Sequence, residues 1–488
     1  MPLTPARPVH DLAPVVEAFR RQHVLVIGDL MLDEYIDGSC DRVSPEAPVP
    51  VVQVHGARLR LGGAGNTAAN VATLGGRCTL AGRLGRDEAG SAIRRLAGEF
   101  GVTLRAADDL PSTTRKVRIV GERQQVVRLD YESEAPVEST LAADARAALE
   151  GVDVVVVSDY ARGAITPDVY AAVLAQARAT GVPVIVDPRP QHRDLYRGCT
   201  YITPNWKEAL ALLGEAPVAY TPERALHVAT MLAERFETTA ILTLGGRGVL
   251  VAPRDGSAAF QVSAAAREVF DVSGAGDTVV AALALAIAAG ADLVDAVHVA
   301  TRAAGLVVGK LGTATVSADE LLADASGRLI ARQELAAVGQ RARAAGQSVV
   351  SINGSFDLLH AGHLTILEAA RAQGDVLVVG LNSDSSVRGY KGPHRPIVSQ
   401  ADRARLLLAL RVVDFVHVFD EADPIAFLEA LRPDVHVNGA EYGEHCIEAP
   451  AVAAMGARLH LVPRVPGLST SDLARRLANP RQDDAGRP

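Results

Sequence analysis

The chain has 488 residues, 48% hydrophobic and 22% charged, with a formal net charge of −8. That length exceeds what one hydrophobic core organises and implies two or more domains, while the composition excludes a disordered or collagen-like chain. The acidic balance excludes a broad surface for nucleic acid or anionic lipid, so any phosphate chemistry must sit in local pockets.

Short runs rich in valine and isoleucine recur with helical segments between them: His23 to Ile27, Val152 to Val157, Val182 to Val186, Ala240 to Leu244, then Ser348 to Ile352, Asp375 to Leu381 and Asp434 to Val437. Continuous apolar runs of this kind suit strands buried on both faces of parallel sheets. The expected class is α/β, with two doubly wound domains. Residues 115–130, by contrast, alternate polar and apolar around Gly121-Glu122 and predict a small β lid over a pocket. Residues 321–347, charged, alanine-rich and helix-favouring, are read as a linker between a domain at 1–320 and another at 348–478; residues 479–488 are read as a disordered tail.

Cys40, Cys78, Cys199 and Cys446 are dispersed without a C-x-x-C pair, as expected of reduced thiols in a cytoplasmic protein. The N-terminus lacks the basic and apolar regions of a leader, and the longest uncharged stretch, Thr278 to Ala291, is too short to span a bilayer. Neither a membrane nor a nucleic-acid partner is expected.

Two constellations carry chemistry. In the first, Asp271-Val272-Ser273-Gly274-Ala275-Gly276-Asp277-Thr278 precedes an alanine- and leucine-rich helical segment. The backbone amides of Gly274, Ala275 and Gly276 at a helix N-terminus would suit an anionic phosphoryl group, and Asp277 could take a proton from an attacking hydroxyl. An ordinary N-cap is the alternative for such a segment taken singly. In the second, the Ser348 to Ile352 strand leads into Asn353-Gly354-Ser355-Phe356-Asp357-Leu358-Leu359-His360-Ala361-Gly362-His363. His360 and His363, three residues apart at a helix start, would share one face, and Gly362 lets a phosphate approach the backbone. A zinc site is disfavoured because the glutamate of H-E-x-x-H and a third ligand are missing.

The first constellation resembles the signature of the ribokinase-like carbohydrate kinases, and the resemblance spans residues 20–317. Gly28-Asp29-Leu30-Met31-Leu32-Asp33, Gly62-Gly63-Ala64-Gly65-Asn66 and Asn205-Trp206-Lys207-Glu208 match that family's motifs in order. The resemblance implies that Asp29, Asp33, Gly62, Gly63 and Asn66 hold sugar hydroxyls, that Asn205 and Glu208 organise magnesium and phosphate, with Glu208 binding Mg2+ directly or through water, and that Gly245 contacts nucleotide. The second resembles the cytidylyltransferase-like nucleotidyltransferases, with a Rossmann-like fold, over residues 348 to about 475. It implies nucleotide contacts from Asn353, Gly354, Phe356, Asp357, Gly362, Arg395, Ser469 and Thr470, with His360, His363 and Lys391 stabilising charge on the reacting phosphate. One departure stands out: Asn438-Gly439-Ala440-Glu441-Tyr442 occupies the place of a Lys-Gly-Gly-Asp-Tyr pattern.

Both domains in this order resemble the bifunctional enzymes of activated-heptose synthesis, a match that the segments Arg42 to Val52 and Thr113 to Arg118 strengthen. The resemblance implies ATP-dependent phosphorylation of heptose 7-phosphate at C1 and adenylyl transfer to heptose 1-phosphate, with ATP and Mg2+ as cofactors and a homodimeric assembly. A sugar that already carries phosphate needs cations, and Arg115, Lys116 and Arg128 on the expected lid are the candidates. Two alternatives remain open on the residues alone: another sugar with CTP or GTP, and one half kept as a structural module.

Overall fold

A computed structural model describes residues 4–5, 12–121, 124–132, 139–264, 274–310, 314–325, 328–443 and 445–463. The chain divides into two compact units, Met1–Leu322 and Ala323–Pro488.

In the first unit a ten-stranded sheet runs, in spatial order, Thr4–Pro5, Phe260–Val262, Val249–Ala252, Thr239–Thr243, Tyr201–Ile202, Val184–Asp187, Val154–Ser158, His23–Gly28, Arg77–Gly85 and Thr103–Leu110. From Thr239–Thr243 to Thr103–Leu110 every neighbouring pair is parallel. The valine runs are buried on both faces, as continuous apolar strands require. The first strand, His23–Gly28, lies beside Val154–Ser158 on one side and Arg77–Gly85 on the other. The winding reverses there, and in open α/β sheets such a switch point opens a crevice at the carboxyl ends of the strands.

A separate four-stranded sheet, ordered Pro50–Gly63, Leu30–Val43, Thr114–Gly121 and Gln124–Tyr131, forms the lid. The sequence pattern of residues 115–130 predicted its last two strands only. Leu30–Val43 and Pro50–Gly63 each run for 14 residues, and their mixed polar and apolar composition conceals that they pair with each other across most of that length.

The second unit holds a five-stranded parallel sheet ordered Phe415–Phe419, Val376–Asn382, Val349–Gly354, Val435–Gly439 and Arg458–Val462. It is doubly wound, with its own switch point between Val349–Gly354 and Val435–Gly439. The stretch 321–347, expected to link the domains, is in large part built into this unit. The helix Arg332–Ala344 presents Leu335, Val338 and Ala342 to a core shared with Phe427, Leu428 and Leu431, and Ile330 N–H donates to Val416 O. Its surface charges hid an apolar stripe at helical spacing.

Within that core Ser351 Oγ lies 2.8 Å from His436 Nδ1, both residues fully buried. Burial pushes the His436 imidazole from its ordinary value of 6.5 down to about 4. The folded chain therefore binds fewer protons than the unfolded one below pH 6.5. This stability is complete above pH 6.5 and is lost as pH falls through about 4. The second unit should lose about 2 kcal/mol between pH 6.5 and pH 5 from this residue. Thermal unfolding at the two pH values, with His436→Gln as the variant that flattens the difference, checks the expectation.

Candidate functional site

In the first unit the carboxyl ends of the central strands carry Asp29, Asp159, Tyr160 and Asp187, and the helix Ala275–Ala288 meets them from Gly274. Gly274 has φ 80°, a left-handed conformation that glycine adopts without a Cβ penalty. The Thr278 N–H donates to Gly274 O at 3.1 Å; the amides before it in this first turn have no intrahelical acceptor and are suited to an anion. Residues 271–273 of the same motif lie outside the described residues.

Asp277 is buried and accepts three hydrogen bonds: from Asn66 Nδ2 at 2.6 Å, Thr67 Oγ1 at 3.1 Å and Tyr160 Oη at 2.9 Å. Burial raises its pKa, and the Asn66, Tyr160 and Thr67 donors offset part of that rise. A carboxylate held in this way is oriented and made more basic, as a group that collects a proton from a hydroxyl should be. Thr278 Oγ1 donates to Asn70 Oδ1 at 3.0 Å, and Asn70 Nδ2 donates to the Asn66 carbonyl at 2.9 Å, so the helix Ala64–Thr73 is tied to Ala275–Ala288 behind the carboxylate. Thr67, Asn70 and Thr278 lie in segments that the sequence singled out without giving these three a role, and Tyr160 was missed. For Tyr160 no spacing rule exists, because it reaches Asp277 from 117 residues away.

Other expected residues take different positions. Both Asp29 oxygens are engaged by backbone N–H groups, of Tyr160, Arg162 and Ala164. Its carboxylate therefore shapes the 160–164 loop. Asp33 pairs with Arg118 at 2.6 Å, and a Cβ on Gly62 would sit 2.7 Å from Asp33 Oδ2, which is why glycine stands there. Gly63 has φ +57°, and its own Cβ would meet the Asp29 carbonyl at 2.5 Å. Asn205 and Glu208 form a capping box at the start of the helix Trp206–Leu213, and Glu208 is also ion-paired with Arg189. Gly245 begins a single 3-10 turn after the strand Thr239–Thr243.

On the lid, strand alternation puts Lys116 and Arg118 on one face and Arg115 on the other. Arg115 lies 3.8 Å from Glu34 and over the Tyr131 ring, and Arg128 pairs with Asp130. Lys116 Nζ is 5.8 Å from the centroid of the Tyr160 ring, the ring whose hydroxyl touches Asp277. Burial lowers the Lys116 pKa. Of the lid cations singled out from sequence, Lys116 is the one the structure places beside Asp277's own partners. Arg118, two residues on, shares its face, a relation the period of two could have shown.

Asp187 is a carboxylate that sequence reasoning missed. Burial first, then the charges of Glu208 and Asp277, push its pKa well above the ordinary value. Asp187 and Glu208 supply hard oxygen donors of the kind magnesium takes. No cluster of three or more metal-ligating side chains exists among the described residues.

In the second unit Asn353 and Gly354 end the strand at the switch point, and the turn that follows holds Phe356 and Leu358 at φ 44° and 49°. These left-handed conformations are uncommon for bulky side chains, and such strain concentrates at functional loops. His360 is the N-cap of the helix Ala361–Arg371, which carries Gly362 and His363 in its first turn. The His360 and His363 rings stack, with centroids 3.9 Å apart and planes at 22°. Burial, then its neighbours His360 and Lys391, lowers His363 to about 4, so it is neutral at pH 7. Its Nδ1 has no hydrogen-bond partner among the described residues, and a bound phosphate would supply both the acceptor and the negative charge. Lys391 Nζ reaches Ser355 Oγ at 2.8 Å, and burial lowers its pKa.

Asp357 is almost completely buried and accepts from Arg395 Nη1 at 2.8 Å and from the Ile397 and Val398 N–H groups. Burial works to raise its pKa, but these donors hold it below the usual carboxylate value. Asp357 and Arg395 thus anchor the loop 395–398. Arg403, absent from the sequence reading, is fully buried and donates to the carbonyls of Val398, Ser355 and Asn382 and to Asp384. Asn438 Nδ2 donates to Glu448 Oε2 at 3.3 Å, so the asparagine that replaces lysine sits against a buried carboxylate. Ser469 and Thr470 lie outside the described residues.

Residues 21–320 match the pfkB family carbohydrate kinases and residues 351–466 match the cytidylyltransferase-like family, so the chain is a carbohydrate kinase joined to a nucleotidyltransferase. It is 41% identical over 470 residues to "Bifunctional protein HldE" of Geobacter metallireducens, covering 92% of this chain and 94% of that protein. To the protein of the same name from Azorhizobium caulinodans it is 45% identical over 468 residues, covering 92% and 97%. The chain belongs to this bifunctional HldE family. The first unit also shares its fold with phosphofructokinase-2 from Escherichia coli, at a TM-score of 0.53 and 18% identity over 62% of this chain and 99% of that one.

Proposed function

We propose that the first unit phosphorylates D-glycero-D-manno-heptose 7-phosphate at C1 with ATP, and that the second transfers the adenylyl group of ATP to D-glycero-D-manno-heptose 1-phosphate. The observation that carries the first step is the buried Asp277, oriented by Asn66, Thr67 and Tyr160 at a helix N-terminus. Asp277 takes the proton of the C1 hydroxyl, whose oxygen bonds to the γ-phosphorus as the bond to ADP breaks; the Gly274 to Gly276 amides receive charge on the phosphoryl oxygens. Glu208 and Asp187 would hold a magnesium ion, which would supply charge neutralisation for the phosphates. Lys116, and with it Arg118 on the same lid face, is suited to the phosphate the sugar already bears.

In the second unit a C1 phosphate oxygen bonds to the α-phosphorus of ATP and pyrophosphate leaves. His360, His363 and Lys391 stabilise the charge that builds on the α-phosphate, and no protein nucleophile is needed. The phosphate at C7 is removed between the two steps by a separate hydrolase. The four unpaired cysteines support a cytoplasmic setting, and the apolar side chains exposed on the lid strand Gln124–Tyr131, among them Val127 and Leu129, support a homodimer.

A second reading, in which the second unit takes CTP or GTP, is favoured by one observation, the engagement of Asn438 by Glu448. Purified full-length chain assayed with heptose 7-phosphate against ribose and fructose phosphates, then with heptose 1-phosphate and each NTP, decides between them. ADP release with heptose 7-phosphate and pyrophosphate release with ATP are expected; turnover of the other sugars, or with CTP or GTP instead, overturns the corresponding half.

A further inference from the structure

Arg189 stands in the kinase crevice two residues beyond the end of the strand Val184–Asp187. Its guanidinium is ion-paired with Glu208 and lies 4.4 Å from the centroid of the Tyr160 ring, whose hydroxyl donates to Asp277 Oδ1 at 2.9 Å. Asp187, Glu208 and Asp277 all act on it electrostatically. One guanidinium thus lies in the field of three carboxylates, one of them its ion-pair partner, in a crevice that must admit a triphosphate. Without a cation on the path, the γ-phosphoryl group would meet net negative charge, at separations where repulsion in a partly desolvated cleft is large. The planar fork of an arginine matches two phosphoryl oxygens at once, which an ammonium cannot do. Glu208 is also a residue suited to magnesium, so Arg189 and the ion would compete for the same carboxylate.

We propose that Arg189 is a catalytic residue of the kinase half, which leaves Glu208 when Mg·ATP enters and places its guanidinium on the γ-phosphoryl group during transfer. It forms and breaks no covalent bond. The C1 oxygen gains the phosphoryl group, ADP departs, the proton goes to Asp277, and Arg189 neutralises charge on the oxygens in flight. This rests on the reading of the first unit as a kinase.

The test uses the full-length chain and its one tryptophan, Trp206, which lies in the Asn205–Glu208 segment and reports nucleotide binding there by fluorescence. Wild type, Arg189→Gln and Arg189→Lys are titrated with Mg·ADP, without sugar, in the presence and absence of aluminium fluoride as a mimic of the transferring phosphoryl group. Wild type should bind the fluoride complex at least about 10²-fold more tightly than Mg·ADP alone. Arg189→Gln should bind Mg·ADP within about threefold of wild type yet lose that preference, with kcat for phosphorylation down about 10²–10³-fold and adenylyl transfer unchanged. Arg189→Lys should fall between. A wild type with no fluoride preference, an Arg189→Gln that keeps it, or a loss of Mg·ADP binding matching the loss of kcat overturns the proposal and leaves Arg189 as a counter-ion. If wild type fails to phosphorylate heptose 7-phosphate, the choice of sugar falls, while the fluoride titration still judges Arg189.

Discussion

Asp277→Asn is expected to lower kcat for phosphorylation by about 10²–10⁴-fold, the worth of a general base, and to leave adenylyl transfer by the same molecules unchanged. The amide has the volume of the carboxylate and can still meet Thr67 and Tyr160, so the site is not opened. The substitution also removes one negative charge from a buried neighbourhood shared with Asp187 and Glu208, where burial first and like charges second already drive the Asp187 pKa upward. The first unit should therefore unfold no earlier than wild type. ADP release and pyrophosphate release, measured separately on one preparation, give the result. His363→Ala supplies the reciprocal, with pyrophosphate release lost and ADP release retained. Loss of both activities from either change would sink the assignment of one reaction to each unit.

Arg403→Met is expected to destabilise the second unit by about 3–5 kcal/mol, although methionine nearly fills the space. The guanidinium has no exposed surface and joins the carbonyls of Ser355, Asn382 and Val398 with the carboxylate of Asp384. Those acceptors belong to the loop before His360, the end of the second strand of the sheet and the loop after Arg395. Without the cation, three carbonyls lose their donor in a place where water does not replace it. Urea unfolding followed by far-ultraviolet circular dichroism should show a new early transition, while Trp206 fluorescence, which reports the first unit, keeps its midpoint. Coincident, unshifted transitions from both probes would show that Arg403 carries no such load.

The two helix-start segments stand out in the sequence because their signals are local. Gly274 to Asp277 and His360 to His363 each sit at a strand-loop-helix junction, and the amides, small residues and polar side chains that such a junction needs lie within a few positions of one another. Residues whose partners come from distant segments were read less well. Asp29 and Asp357 were expected to meet ligand, yet each spends its oxygens on backbone N–H groups of a loop far along the chain. Arg115 and Lys116 are adjacent and look equivalent, but one residue of offset on a strand sends them to opposite faces.

Two doubly wound α/β units, their order, and a glycine-bearing helix start in each can be read from the chain alone, because buried parallel strands and helix N-termini leave periodic, short-range marks. Which side chains surround Asp277 depends on the folded sheet. Tyr160, which donates to it, and Asp187 and Arg189, which share its electrostatic field, come from strand ends that the sheet aligns, and no spacing along the chain encodes that alignment. The tertiary structure likewise decided that residues 330–342 belong to the second core rather than to a linker, because a helix's buried face has meaning only once its partner, here the Phe427 to Leu431 segment, is in place.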